Sequence, residues 1–279
     1  MPVLENNLMT QEKSYYLGTH DAEAWRLGVQ HRVWRARTLD VFRRAGITDG
    51  WTVIDAGSGP GHASLDLAEI VGPRGRVHAL DRSDNFRHAI EDGARVRGLS
   101  NVTLHSVDLA TDPIPVGGVD AVFIRWVFIF MEDPIAVLKK LAAALRPGGR
   151  FICHDYWHWG TMAWTPHRPK LAEFVETAIR DWHRNAGDID VARKILPALP
   201  EAGLRLIEAN PIGFTTSPTD FTWQWPKTFI PPHAKRLAER GVVSVPWAEE
   251  VARDWEAAEK DPRTVMTTPL LMEIVAERI

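Results

Sequence analysis

Between Gly50 and Tyr156, apolar residues come in short continuous runs, and most runs are followed by a longer stretch in which apolar positions recur every three or four residues. The short runs suit strands buried on both faces, and the helical recurrence suits helices with one side on a core. The pattern predicts strand Thr52–Asp55, helix Gly61–Val71, strand Arg76–Leu80, helix Asn85–Arg97 and strand Val102–Ser106. Strand Ala121–Ile124, helix Pro134–Leu145 and strand Arg150–His154 follow. Strands alternating with helices at this spacing imply a parallel sheet covered on both faces, with ligands at the carboxyl ends of its strands.

The flanks read differently. Asp21 to Ala45 is helical in pattern, with Trp25, Val29 and Val33 on one side and Gly46 as a natural stop. Gly28 and the Arg35–Thr38 stretch are points where it could divide into two helices. Beyond Tyr156 come helical stretches Pro169–Asn185 and Asp190–Ala202, strand Leu204–Ile212, and helices Pro232–Glu239 and Ser244–Lys260. Ser244 with Pro246 makes a good helix start, and Gly241 stops the helix before it. A last apolar run covers Val265–Ala276. Leu204–Ile212 and part of that run read as two strands completing a seven-stranded, mostly parallel sheet. The organisation expected is a helical cap at 1–48 and an α/β core at 49–155 completed near 204–212 and 265–276. Helical lid segments at 156–203 and 213–263 then cover the substrate side. Of the twelve tryptophans only Trp51 and Trp126 fall between residues 50 and 155, so the flanks are the aromatic-rich additions.

Charge narrows the partners. The 33 basic and 36 acidic residues leave a formal net charge of -3, which gives no overall attraction for nucleic acid or an anionic membrane. Met1–Thr10 lacks the charged start and apolar run of a signal peptide, and Val119–Met131 is too short to span a bilayer and is interrupted by Asp120 and Arg125. A cytoplasmic location is expected. Cys153 is the only cysteine, so internal disulfides and cysteine zinc clusters are excluded, and Cys153 is expected to be a buried strand residue.

The segment Val53-Ile54-Asp55-Ala56-Gly57-Ser58-Gly59-Pro60-Gly61-His62 follows a buried strand and opens a helix. Gly57 and Gly59 let the backbone turn tightly beside a ligand, while the next helix offers free N–H groups and a positive dipole end. A dinucleotide fingerprint would place its third glycine where His62 stands, and Asp55 would repel a pyrophosphate but suits a cationic amino-acid moiety. A nicotinamide oxidoreductase is therefore disfavoured. About twenty residues on, the second strand ends in Asp81, placed to accept hydrogen bonds from ribose hydroxyls. Arg82 either stacks on an adenine or is solvated. The third strand leads to Asp108, placed to accept from an adenine amino group or to serve as a turn residue.

On these residues, 47–156 resembles a class I S-adenosylmethionine-dependent methyltransferase with its Rossmann-like fold. The matching features are Asp55 to Gly61, Gly72-Pro73-Arg74-Gly75-Arg76-Val77 leading to Asp81, Asp108, Val119-Asp120-Ala121-Val122, and Leu145-Arg146-Pro147-Gly148-Gly149. The resemblance implies S-adenosylmethionine as cofactor, becoming S-adenosylhomocysteine. It implies Gly57, Ser58 and Gly59 against the methionine part, Asp81 on the ribose, Asp108 on the adenine amino group and Leu109 on the adenine face. It also implies contact at Arg125 mainly through its backbone. Tyr15-Tyr16-Leu17-Gly18 and Gln30-His31-Arg32 resemble the lid segment of bacterial small-molecule members, in which Tyr16 and Gln30 would close over the methionine end. As plain residues they serve equally well in helix packing.

Methyl transfer needs a nucleophile held in line with the sulfonium carbon and shielded from water. The acceptor is expected over the fourth and fifth strand ends, beside Arg125-Trp126 and His154-Asp155-Tyr156-Trp157-His158-Trp159. His154, then His158, are candidate general bases, with ordinary strand-end packing as the alternative. His154, Asp155 and His158 do not make a metal site, because neighbouring strand residues point to opposite faces. Trp126, Tyr156, Trp157, Trp164, Trp223 and Trp225 are candidate acceptor contacts, whereas Trp182 with Phe174 reads as ordinary core. The arginines at 26, 32, 35, 37, 43 and 44 either attract an anionic group or form a solvated helix face. No Asn/Asp-Pro-Pro-Tyr-like run follows the fourth strand, where Ile124-Arg125-Trp126-Val127 stands, so base methylation is not expected. The function expected is methylation of an oxygen, nitrogen or carbon of a small, partly apolar molecule by in-line displacement. A non-catalytic cofactor-binding partner or regulator on the same fold is the alternative. Partners are a small-molecule acceptor, no nucleic acid and no membrane, with a homodimer left open.

Overall fold

A computed structural model describes residues 21–279. Helix α1 (Asp21–Arg44) leads into strand β1 (Thr52–Ala56), α2 (His62–Val71), β2 (Arg76–Asp81), α3 (Asp84–Arg97), β3 (Val102–Ser106) and β4 (Val119–Arg125). Then come α4 (Pro134–Ala144), β5 (Leu145–His158), β6 (Ala163–Thr165), α5 (Pro169–Asn185) and α6 (Ala192–Ala198). The chain continues through β7 (Leu204–Ile212), β8 (Thr215–Thr216), α7 (Gln224–Glu239), α8 (Val245–Lys260), β9 (Val265–Thr267) and β10 (Leu270–Arg278). Seven strands form one sheet in the order β3-β2-β1-β4-β5-β10-β7. The first five are parallel, and β10 runs antiparallel to both β5 and β7.

Alternation along the strands divides the core. Val53, Phe123 and Ile152 face one side with Val41 and Phe42 of α1 and Leu67 and Val71 of α2. Ile54, Val122, Phe151 and Cys153 face the other, with Leu138 and Leu141 of α4. Phe42 meets Phe123 edge to face at 4.8 Å, a preferred aromatic geometry. Cys153 is buried in β5, as its sequence setting predicts.

Some boundaries depart from the sequence pattern for tertiary reasons. Helix α1 is continuous through Gly28, because the missing side chain makes room for His62: a Cβ there would lie 3.2 Å from the imidazole Nε2. Helix α7 starts at Gln224 and carries Pro231 and Pro232 inside it, where a start at Pro232 was expected. Burial of Trp225, Pro226 and Ile230 holds the earlier turns. The Asp190–Ala202 stretch shortens to α6 and a separate 3-10 turn at Pro200–Ala202. The last apolar run breaks before Leu270, and β9 joins β6 and β8 in a small antiparallel sheet that local patterning did not predict. Ser244 does cap α8, its hydroxyl accepting from the Trp247 amide.

Arg32, Arg35 and Arg43 of α1 stand on a solvent-exposed face, as the sequence pattern allows, yet most of the six α1 arginines carry acidic partners. Arg35 pairs with buried Asp66 of α2, Arg26 with Glu23, and Arg44 with Glu208 and Glu273, with Arg37 at 3.7 Å from Glu273. The Arg35 pair fastens α1 to α2, and the Arg37 and Arg44 pairs fasten it to the sheet.

Candidate active site

Strand β1 delivers Asp55 to the sheet's carboxyl edge, and the chain then turns through Gly57, Gly59 and Gly61, all with positive φ. At Gly57 the requirement is also steric, since a Cβ would fall 2.3 Å from Cγ2 of Val127 just past β4. The turn is braced by Asp81 at the end of β2, which accepts from the Gly59 amide at 2.8 Å and the Ser83 amide at 2.9 Å. Burial raises the Asp81 pKa, and those two amides oppose the rise.

Beneath the turn, Asp55 is almost wholly enclosed and accepts from the Ser64 hydroxyl. Burial pushes its pKa up to about 6, opposed by the Ser64 bond and the charge of Arg125. Arg125 lies at the end of β4, and its guanidinium turns toward α1. It donates to Thr38 Oγ1 at 2.9 Å, with His31 Nδ1 3.1 Å away. Burial lowers its pKa to about 10, offset by Asp55 and Asp66. The same guanidinium sits 4.9 Å from the ring centre of Trp126. Trp126, with φ 53, is the one non-glycine residue with positive φ among the described residues. Its amide donates to the His154 carbonyl, which fixes this costly conformation at the strand end.

A cavity of about 730 Å³ lies over these strand ends. One half is bounded by the glycine turn, Asp81, Arg82, Asp108 and Leu109; Arg82 and Asp108 are 3.6 Å apart. The other half is aromatic, with Trp126, Tyr156, Trp159, Trp182, Trp225 and Phe229 in its walls. Gln30 closes the roof, since its side-chain oxygen accepts from Arg26 at 2.9 Å and from the Trp225 indole N–H at 3.0 Å, joining α1 to α7.

The cavity therefore gathers Gln30, Asp55, Gly57, Ser58, Gly59, Asp81, Arg82, Asp108, Leu109, Arg125, Trp126, Tyr156 and Trp225 from the sequence-derived set. Tyr16 lies outside the described residues. Five candidates are not brought there. His154 is enclosed on the α1 side of the sheet, Nε2 3.0 Å from Glu273 of β10, and burial lowers its pKa. His158 faces Asp190 at 3.5 Å and is half open to solvent. Trp157 packs under Arg193, and Trp164 and Trp223 are buried against Trp255.

Sequence reasoning missed His62, Trp182 and Phe229 as cavity residues. Trp182 shares a helical stripe with Phe174, and spacing alone does not separate a core residue from one at the cavity edge. His62 had a signal in its place at the loop's end, but it served only to argue against a dinucleotide. Its ring stacks on His31, and burial takes its pKa down to about 4. Among the described residues no group of three or more His, Cys, Asp or Glu side chains could hold a metal ion, and no helix is long and apolar enough to cross a membrane.

A family model described as a methyltransferase domain matches residues 47–201, more than half of the chain. A demethylmenaquinone methyltransferase of Lactococcus lactis is 32% identical over 129 residues, 46% of this chain and 50% of the relative. The chain spans about half the length of the curated relatives it matches. Among solved structures, a geranyl diphosphate methyltransferase in complex with SAM aligns with TM-score 0.56 and 18% identity, covering 92% of this chain and 90% of that one. Coclaurine N-methyltransferase aligns with TM-score 0.53 and 18% identity, covering 87% and 72%. At these identities the structures show a shared fold.

Proposed function

The chain belongs to the methyltransferase-domain family, and from that membership we propose that it moves a methyl group from S-adenosylmethionine to a small, partly apolar acceptor. The observation that carries this reading is the cavity itself, in which a glycine turn and two strand-end acids share one space with an aromatic chamber.

The residues fit the cofactor. The turn approaches closely because Gly57 and Gly59 bear no side chain, and Asp81 and Asp108 follow at successive strand ends, where ribose and adenine would lie. Asp55, held beside Arg125, marks the methionine end. When bound, the sulfonium supplies an activated methyl and its leaving group. The chain's own part is positional: Gly57 and Asp81 seat the cofactor, and the Gln30–Trp225 bond roofs the cavity. Trp126, Tyr156, Trp182 and Trp225 offer flat apolar walls that orient an acceptor and keep water away. The demethylmenaquinone named for the relatives is one acceptor of the aromatic kind such walls would suit.

Calorimetric titration with S-adenosylmethionine, S-adenosylhomocysteine and NAD in parallel tests the reading. Saturable binding of the first two and none of NAD is the expected result, and binding of NAD alone would overturn it.

A further inference from the structure

Gln30 of α1 receives two hydrogen bonds on one atom: Arg26 donates to its side-chain oxygen at 2.9 Å and the Trp225 indole at 3.0 Å. A guanidinium and an indole N–H can only donate, so the amide turns its oxygen to them and its nitrogen away. Both lone pairs of the oxygen are then in use, and the amide is held in one orientation from two helices, α1 and α7. Among the described residues neither hydrogen of the amide nitrogen meets an acceptor, and the nitrogen is not enclosed. Gln30 is only 7% exposed and lines the cavity, so the cavity is where these two hydrogens open.

Neighbouring residues put this donor at the methionine end. His31, next along α1, lies 3.1 Å from Arg125, whose charge acts on Asp55 beneath the glycine turn. A methionine moiety carries an ammonium, which only donates, and a carboxylate, which only accepts, so the amide hydrogens suit the carboxylate. Trp225 belongs to the other half of the cavity. Its ring forms part of the aromatic wall and meets Trp34 edge to face at 5.2 Å and Trp126 nearly parallel at 6.4 Å. Such packing leaves the indole little room to rotate, and its N–H reaches Gln30 from a fixed direction. Gln30 and Trp225 both lie outside residues 47–201, the stretch matched by the methyltransferase-domain model.

We infer that Trp225 is a positioning residue for the cofactor: it holds the Gln30 oxygen, and the Gln30 amide hydrogens thereby face the methionine carboxylate. Gln30 touches the cofactor, and Trp225 acts through Gln30 while serving the acceptor chamber with the face of its ring. The inference rests on the proposed methyltransferase reading for the identity of the cofactor. It goes further in making one indole hydrogen bond a joint between acceptor wall and cofactor seat. Without that bond only Arg26 holds the amide, and part of the ordering falls to the moment of binding, at a cost in affinity.

The test compares two ligands by calorimetry on the full chain: S-adenosylhomocysteine, and 5′-methylthioadenosine, which keeps the adenosine and sulfur but lacks the carboxylate and ammonium. Gln30→Glu keeps an oxygen for Arg26 and Trp225 but replaces the amide hydrogens with a negative charge. It should weaken S-adenosylhomocysteine about tenfold or more and leave 5′-methylthioadenosine within about twofold. Trp225→Phe keeps an aromatic wall and removes the indole hydrogen. It should weaken S-adenosylhomocysteine about three- to tenfold, again with 5′-methylthioadenosine within about twofold. In the double variant the second substitution should add less than about twofold, since Trp225 acts through Gln30. Trp225→Tyr, which also lacks the indole N–H, serves if Trp225→Phe fails to fold. S-adenosylhomocysteine affinity unchanged by either substitution would overturn the inference, as would a gain with Gln30→Glu, the mark of the ammonium in that place. Equal losses for both ligands in Trp225→Phe would also overturn it, because a merely structural tryptophan gives that result. Failure of the parent chain to bind either ligand would instead count against the methyltransferase reading.

Discussion

Replacing Gly57 by alanine puts a methyl group where the turn has none to spare. The new Cβ would lie 2.3 Å from Cγ2 and 3.1 Å from Cγ1 of Val127, at a backbone φ of 69°. The left-handed conformation alone costs a non-glycine residue about 1–2 kcal/mol. Forcing a side chain into a packed site adds about 1–3 kcal/mol. The sum, roughly 2–5 kcal/mol, should lower the melting temperature by about 4–20 °C at the 2–4 °C per kcal/mol usual for chains of this size or slightly smaller. Urea unfolding reads the stability, and calorimetry reads S-adenosylmethionine affinity, which should fall as the turn is displaced. Val127→Ala in the same chain removes both offending methyls, so the double variant should regain the packing share and keep a deficit of about 1–2 kcal/mol from φ. If the single variant stays within about 0.5 kcal/mol of the parent with unchanged affinity, the close approach of turn and β4 is refuted. A double variant no better than the single one would clear Val127 of the clash.

Asp81→Ala removes a carboxylate that the Gly59 and Ser83 amides share, and should weaken S-adenosylmethionine by about 1.5–3 kcal/mol in calorimetry. Unchanged affinity would take Asp81 out of the site. His154→Ala removes a buried neutral imidazole and its hydrogen bond to Glu273, which Arg44 still pairs, so it should cost about 1–3 kcal/mol of stability in urea while leaving the turnover of folded protein intact. A large loss of kcat at unchanged stability would instead restore His154 as a base. Stability should also depend on pH. Between pH 4 and 6.5 it should rise with pH, because burial lowers His62 and His233 to about 4 and the unfolded chain binds those protons more readily; with the other lowered histidines they outweigh Asp55 and Asp155. From pH 6.5 to 8 the rise should level off, because Asp155, raised by burial to about 8, keeps a proton that the unfolded chain has lost and so offsets what the histidines still contribute. Asp155→Asn should let the rise continue in urea unfolding; a profile that levels off equally in the variant would assign the effect to other groups.

The features legible in the sequence were those decided by neighbours along the chain. Strands β1, β2 and β4 show as apolar runs because both their faces are covered, and Ser244 announces α8 through its own hydroxyl. The glycine turn, Asp81 and Asp108 were equally open, since each stands at a strand end within a regular repeat. Partners distant in the chain decided the rest. His154 pairs with Glu273, 119 positions away, and this turns a candidate base into an enclosed structural residue. The cavity face of Trp182 depends on where α5 lands, and its indole N–H binding the Ile129 carbonyl is invisible in helical spacing. Trp164 and Trp223 were drawn off by Trp255, a third tryptophan whose position no local pattern reveals.

Strand β10 is made last of the seven yet lies between β5 and β7, hydrogen-bonded to both. During synthesis the ribosome therefore releases the cofactor half of the sheet well before its gap can close. Until residues 270–278 emerge, β5 presents an unpaired edge beside Phe151, Ile152 and Cys153, side chains that the finished protein buries completely. Glu273 arrives with the same strand, so the clasp joining His154, Arg44 and β5 forms only after translation has passed it. Nascent chains stalled or truncated before residue 270 should thus be aggregation-prone clients of chaperones, even though every residue of the glycine turn has already been made.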